Sequence, residues 1–140
     1  MVPVTFELKA HPADVAVEAT GESLGAVFGA VADGMAAAMA DDIPATGGTR
    51  FDIEVRAESR EALLFDYLDR LIYERDVREV LPVDNEVAVR QAGEDWVVSG
   101  SARGIPLSDV EARDLKAVTY SQMDLSERAG GWHAYVVFDV

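Results

Sequence analysis

From Phe51 to Glu58 apolar and polar residues alternate without a break: Phe51, Ile53, Val55 and Ala57 on one side, Asp52, Glu54, Arg56 and Glu58 on the other. A period of two predicts a strand with one buried face. A weaker alternation sets Val15, Val17 and Ala19 against Ala16, Glu18 and Thr20, and Val4 to Leu8 predicts a short strand ahead of it. Between those two, His11-Pro12-Ala13-Asp14 predicts a turn, because proline lacks a backbone donor and biases the residue before it away from helix.

The period changes at Gly21. Leu24, Val27, Phe28, Val31, Met35 and Met39 recur at spacings of three and four, the stripe of a helix that Ser23 can cap. The stripe runs out at Asp41-Asp42-Ile43-Pro44, and Gly47-Gly48 marks a loop. Ser59 then caps a second helix with Leu64, Leu68, Leu71 and Ile72 as its buried stripe. Asp66 and Arg70, and Arg70 and Glu74, stand four apart on its expected solvent side.

Beyond about Val77 the pattern predicts strands only. Glu86 to Arg90 and Trp96 to Ala102 flank Gln91-Ala92-Gly93-Glu94, and Leu115 to Leu125 and Trp132 to Val140 flank Ala129-Gly130-Gly131, so two hairpins are expected. Two strands, a helix, a strand, a helix and four strands predict an α+β fold. We expect a two-layer sandwich, with two helices on one face of a mixed, mostly antiparallel β-sheet. No repeat or long linker interrupts residues 1–140, which predicts a single domain.

Apolar residues make up 49% of the 140, enough for a core and too many for a disordered chain. No apolar run approaches the roughly 20 residues a spanning helix needs, and Met1-Val2-Pro3-Val4 has no basic, signal-like character. A cytoplasmic protein that does not engage membranes is expected. There is no cysteine, which excludes disulfides, thiolate catalysis and cysteine-bound zinc. The net charge of −14 repels a phosphate backbone, so direct nucleic-acid binding is not expected. The only lysines are Lys9 and Lys116, against ten arginines. So much acid with so little lysine has a halophile-like character, salt screening the self-repulsion. On that reading most of the acid solvates the surface and few carboxylates are functional.

Several kinds of catalytic apparatus are missing. There is no glycine-rich phosphate loop, no G-x-S-x-G nucleophile turn, and no zinc-spaced pair among the two histidines, His11 and His133. No catalytic residue is expected, and an independent enzyme is not the natural reading. A metal-dependent phosphatase or nuclease would need more ligands than the chain offers.

Three segments carry candidate chemistry. In the last predicted strand Trp132, Ala134, Val136 and Phe138 share one face, and His133, Tyr135, Val137 and Asp139 the other. Asp139 avoids the more apolar face and stands beside the main-chain carboxylate of Val140. The pair is either a hard-cation ligand, with Asp14 as a further carboxylate, or a solvated acidic end. His11 and Asp14, three apart around the proline turn, either face one small site or serve the turn itself. Lys116, within a predicted strand, either balances a carboxylate cluster or blocks edge pairing.

The same segments resemble the archease family. His11-Pro12-Ala13-Asp14 is similar to its H-T-A-D signature, and Ala62 to Tyr73 resembles its second-helix pattern of paired leucines ending in L-x-Y. Leu115-Lys116-Ala117-Val118-Thr119-Tyr120-Ser121-Gln122-Met123 is similar to its I-K-A-V-T-Y motif, and Val136-Val137-Phe138-Asp139-Val140 to its terminal V-x-F-D-I. The segments keep the family's order and span nearly the whole chain. Pro12 replaces the family threonine, removing any hydroxyl role there, and Val140 replaces the isoleucine, keeping the carboxylate. The resemblance implies an accessory protein that activates the RtcB-type RNA ligase in tRNA splicing, promoting its guanylylation and multiple turnover without joining RNA itself. It also implies a metal site at Asp14, Asp139 and the Val140 carboxylate. Calcium is the first expectation for that site, and magnesium or manganese also suit such ligands. His11 and Lys116 are then partner-facing or charge-balancing residues. The alternative is a small chaperone-like or ligand-binding module with a salt-adapted acidic surface.

Overall fold

Both helices start at the serines the pattern singles out. Ser23 Oγ accepts the Ala26 N–H at 3.0 Å and Ser59 Oγ the Ala62 N–H at 3.1 Å, each satisfying one donor that a helix leaves unpaired. The computed structural model describes residues 5–11 and 14–140, with backbone alone for Lys9, Ala10 and His11. Its elements are β1 (Thr5–His11), β2 (Asp14–Gly21), α1 (Leu24–Met39), β3 (Thr49–Ala57), α2 (Arg60–Arg78), β4 (Val80–Ala92), β5 (Asp95–Pro106), β6 (Ala117–Arg128) and β7 (Gly131–Asp139). Their order is the expected one. Val4, Pro12 and Ala13, assigned above to the first strand and the turn, lie outside the described residues.

The α+β class holds, with two helices and antiparallel pairing throughout the described strands. In detail the strands form two sheets where one mixed sheet was expected: four strands in the order β1-β2-β7-β6, and three in the order β3-β5-β4. The helices do not share one face of a single sheet, because each touches both: α1 packs on β2, β1 and β4, and α2 on β6 and β3. Alternation along a strand tells which residues share a face. It carries no information about which strand lies alongside.

Two strands are irregular. β4 begins at Val80, ahead of the expected Glu86, because a bulge between Val83 and Glu86, with Asp84 at φ 49°, breaks the alternation. A second irregularity interrupts β6 between Thr119 and Asp124, where Gln122 has φ 57°.

Because α1 lies against both sheets, its burial exceeds the predicted stripe. Val27, Phe28, Val31, Met35 and Met39 are buried, and so are Gly25, Gly29, Ala30, Ala32, Gly34 and Ala36 on its other sides. The small residues let backbones approach: a Cβ on Gly25 would collide with the Val87 carbonyl of β4. Gly100 of β5 plays the same part for α2, since a Cβ there would lie 2.7 Å from the Tyr67 hydroxyl. Tyr67 is wholly buried and its hydroxyl donates to Asn85 Oδ1 at 3.1 Å. Asn85 in turn donates from its backbone and side-chain nitrogens to Asp33 Oδ1, both at 2.9 Å, tying α1 to the β4 bulge. Burial pushes the Asp33 carboxyl above its ordinary range, outweighing the Asn85 hydrogen bonds.

The α2 stripe of Leu64, Leu68, Leu71 and Ile72 is buried as expected. Glu74 is not on the solvent side. It is 6% exposed, accepting from Arg70 Nε at 3.1 Å and from Arg78 as well. The Arg78 hydrogen bond is the main reason its carboxyl sits below the ordinary range, against the effect of burial. Among the described residues no helix is long and apolar enough to cross a membrane.

Gly25→Ala separates packing from propensity. Helix propensity alone would favour alanine by about 1 kcal/mol, whereas the Val87 collision destabilises by about 1–3 kcal/mol. Urea unfolding of the variant is expected to show a net loss, and a net gain would mean that α1 does not lie this close to β4.

Candidate functional site

β2 and β7 form the middle of the four-stranded sheet, and their register decides what meets at its ends. The pairing runs from Gly21 opposite Trp132 to Asp14 opposite Asp139. Opposed residues of antiparallel strands project from the same face. The inner face carries Val15, Val17 and Ala19 opposite Phe138, Val136 and Ala134. The outer face carries Asp14, Ala16, Glu18 and Thr20 opposite Asp139, Val137, Tyr135 and His133.

At one end of that outer face four strands contribute one row: His11 of β1 opposite Asp14, Asp14 opposite Asp139, and Asp139 opposite Ala117 of β6. The Lys116 N–H donates to the Asp139 carbonyl at 2.8 Å, so Lys116 flanks the row. Val140 follows directly and is exposed. The expected site residues are thus drawn together, the side chain of His11 lying outside the described residues. Asp139 is exposed and Asp14 partly so, and neither forms an ion pair with a described residue.

Two carboxylates directly opposite one another repel, and a cation relieves that repulsion. Hard oxygen donors fit a divalent ion such as calcium or magnesium. Among the described residues no three His, Asp or Glu side chains cluster closely enough to hold a metal ion. The anionic side chains of this row are therefore two aspartates, with Val140 directly after the second of them.

A second charged group occupies the other end of the same face. His133 is buried, with Nδ1 2.7 Å from Asp124 Oδ2 and Nε2 3.0 Å from Glu18 Oε2. The Cα partners of His133 are Thr20 and Ser126, so its ring reaches diagonally across both neighbouring strands. Burial works to raise the Asp124 carboxyl. Hydrogen bonds from His133 and Ser126, with the His133 and Arg128 charges, outweigh it and hold Asp124 below the ordinary range. Sequence spacing does not reveal this cluster, because Glu18 lies 115 residues from His133 and only the β2–β7–β6 register sets it and Asp124, from the other arm of the hairpin, on either side of the ring.

His133→Ala leaves Glu18 and Asp124 facing an empty site and is expected to cost about 2 kcal/mol near neutral pH. A depressed carboxyl contributes stability above its unfolded pKa and loses it as pH falls through the folded one. Asp124→Asn should therefore flatten the acid limb of stability below about pH 4. Denaturant unfolding across pH measures both effects, and an unchanged acid limb would count against the cluster.

This geometry defines a class: a small acidic α+β protein with carboxylates gathered at one sheet end. Residues 6–140 match the model of the Archease protein family (MTH1598/TM1083), and the chain belongs to the archease family. It is 32% identical to the protein archease of Methanosarcina mazei over 139 residues, covering 96% of this chain and 95% of that one. It is 28% identical to the protein archease of Pyrococcus furiosus, covering 93% and 94%. A solution structure of Methanobacterium thermoautotrophicum protein 1598 superposes with a TM-score of 0.85 at 27% identity, covering 96% and 98%. A crystal structure from Thermotoga maritima, described as an archease and possible chaperone, shares the fold with a TM-score of 0.62 at 20% identity, covering 93% of each chain.

Proposed function

We propose that this protein is a metal-binding accessory factor that activates an RtcB-type RNA ligase in the cytoplasm, promoting guanylylation of the ligase and its multiple turnover in tRNA splicing. The observation that carries the proposal is the pairing of Asp14 with Asp139 beside Val140, in a chain of the archease family. Asp14, Asp139 and the Val140 carboxylate hold the divalent cation, calcium by preference, with magnesium and manganese accepted by the same donors. Bound there, the cation supplies neutralisation of phosphate charge.

The chain itself performs no catalysis in this account. Asp14 and Asp139 bind and orient at the mouth of the ligase, where the phosphates of GTP meet the attacking histidine. Lys116 and His11 flank the acids and either balance their charge or reach toward the ligase. The net charge of −14 keeps the factor off RNA, leaving the nucleic acid to the ligase.

Asp139 is exposed and outside the core, so Asp139→Asn should fold normally. It is expected to weaken calcium binding, measured by titration calorimetry, by at least about tenfold. It should also abolish stimulation of ligase guanylylation. Adding one residue after Val140, which moves the carboxylate away from Asp139, should weaken calcium binding in the same sense. Full activation by Asp139→Asn would reject the proposal.

A further inference from the structure

α2 turns one face to solvent. Asp66, Asp69, Arg70, Tyr73 and Val77 succeed one another along it at helical spacing, and Tyr73 and Val77 are 57% and 61% exposed. Tyr120 of β6, 54% exposed, lies flat on Phe65 of α2, with ring centroids 4.1 Å apart and planes 8° from parallel. On the other side Val55 of β3 joins Asp66, Asp69, Arg70 and Tyr73 in lining an open groove of about 560 Å³. Exposed tyrosines over a partly apolar floor are the residues that anchor protein interfaces.

The charges in the groove are unbalanced. The one cation, Arg70, is already committed: its Nε donates to Glu74 at 3.1 Å, and its guanidinium lies 5.9 Å from the Tyr73 ring. Asp66 and Asp69 form no hydrogen bond or ion pair with a described residue. Partial burial, and then the neighbouring Asp69, hold the Asp66 carboxyl above its ordinary range, as expected where a cation is lacking.

We infer that this groove is a docking surface for a protein segment presenting arginine or lysine, whose stem lies on Val55 and Tyr73 and whose charged head meets Asp66 and Asp69. The net charge of −14 selects this occupant. A nucleic acid, an anionic lipid surface and a second copy of the chain all carry the wrong sign. A basic segment instead gains charge-assisted hydrogen bonds from the two acids and a cation–π surface from the tyrosine. The inference is independent of the cation site and of the ligase.

The test is an NMR titration of the intact protein with a short alanine-rich helical peptide carrying two arginines one turn apart, run beside its glutamine counterpart. The arginine peptide is expected to cause saturable shifts confined to Val55, Asp66, Asp69, Tyr73 and Tyr120. The glutamine peptide, and the folded double variant Asp66→Asn/Asp69→Asn, should each bind about tenfold more weakly. Shifts scattered over the acidic surface, or equal binding by both peptides or by the variant, would overturn the inference. So would groove shifts that grow with protein concentration when no peptide is present, since the occupant would then be a second copy.

Discussion

The antiparallel pairing of β2 with β7 is the constraint on which the other features depend. It joins segments from opposite ends of the sequence, so a long loop must be closed before any contact rewards the closure. The compensation comes from Val15, Val17 and Ala19 packing with Phe138, Val136 and Ala134 over α1 and the rest of the core. The pairing also makes β1 and β6 the outer strands of the four-stranded sheet. Slippage by one residue would turn Val136 and Phe138 outward. The same slip would separate Asp14 from Asp139. Core register and site geometry are therefore one specification.

An acid-rich chain also has to be held together, and arginine does much of that here. Arg103 donates to Asp84, to the Gly47 carbonyl at 2.9 Å and to the Pro44 carbonyl at 2.8 Å, securing the loop ahead of β3. Arg113 reaches the end of α1, which has no basic residue in its last turn, and donates to the Ala38 carbonyl at 3.1 Å and to both Asp41 oxygens at 3.0 Å. Arg60 lies over the rings of Trp96 and Trp132, at 5.5 Å and 5.0 Å, and so links the two sheets. Each of these positions uses the planar, many-donor guanidinium in a way a lysine ammonium cannot match. The arginine bias, which the composition suggests is salt adaptation, thus has a direct structural use in tying loops and sheets.

The outer face of the four-stranded sheet divides its charge into two groups with different physics. At the His133 end the carboxylates of Glu18 and Asp124 each have a hydrogen-bonding partner within the fold, the buried ring between them. At the Asp139 end the carboxylates have no such internal match among the described residues. Ala16 and Val137, buried between the two ends, separate them. Internal compensation gives stability, whereas an uncompensated pair is what a cation or a partner can use.

The sequence by itself determined the elements, because periods of two and of 3.6 and the serine caps are local properties. The two helices begin at Ser23 and Ser59, and the α2 stripe is buried as its spacing requires. Asp14, Asp139 and Val140 were singled out by their motifs, and their segments by family resemblance. Tertiary structure decided what local pattern cannot encode: the division into two sheets, the burial of Gly25 and Gly29 against β4, and the inward turn of Glu74 toward Arg70 and Arg78. It alone brought His133 between Glu18 and Asp124. Strand partnership is a long-range property, set by which apolar faces close the core together, and no window along one strand contains it.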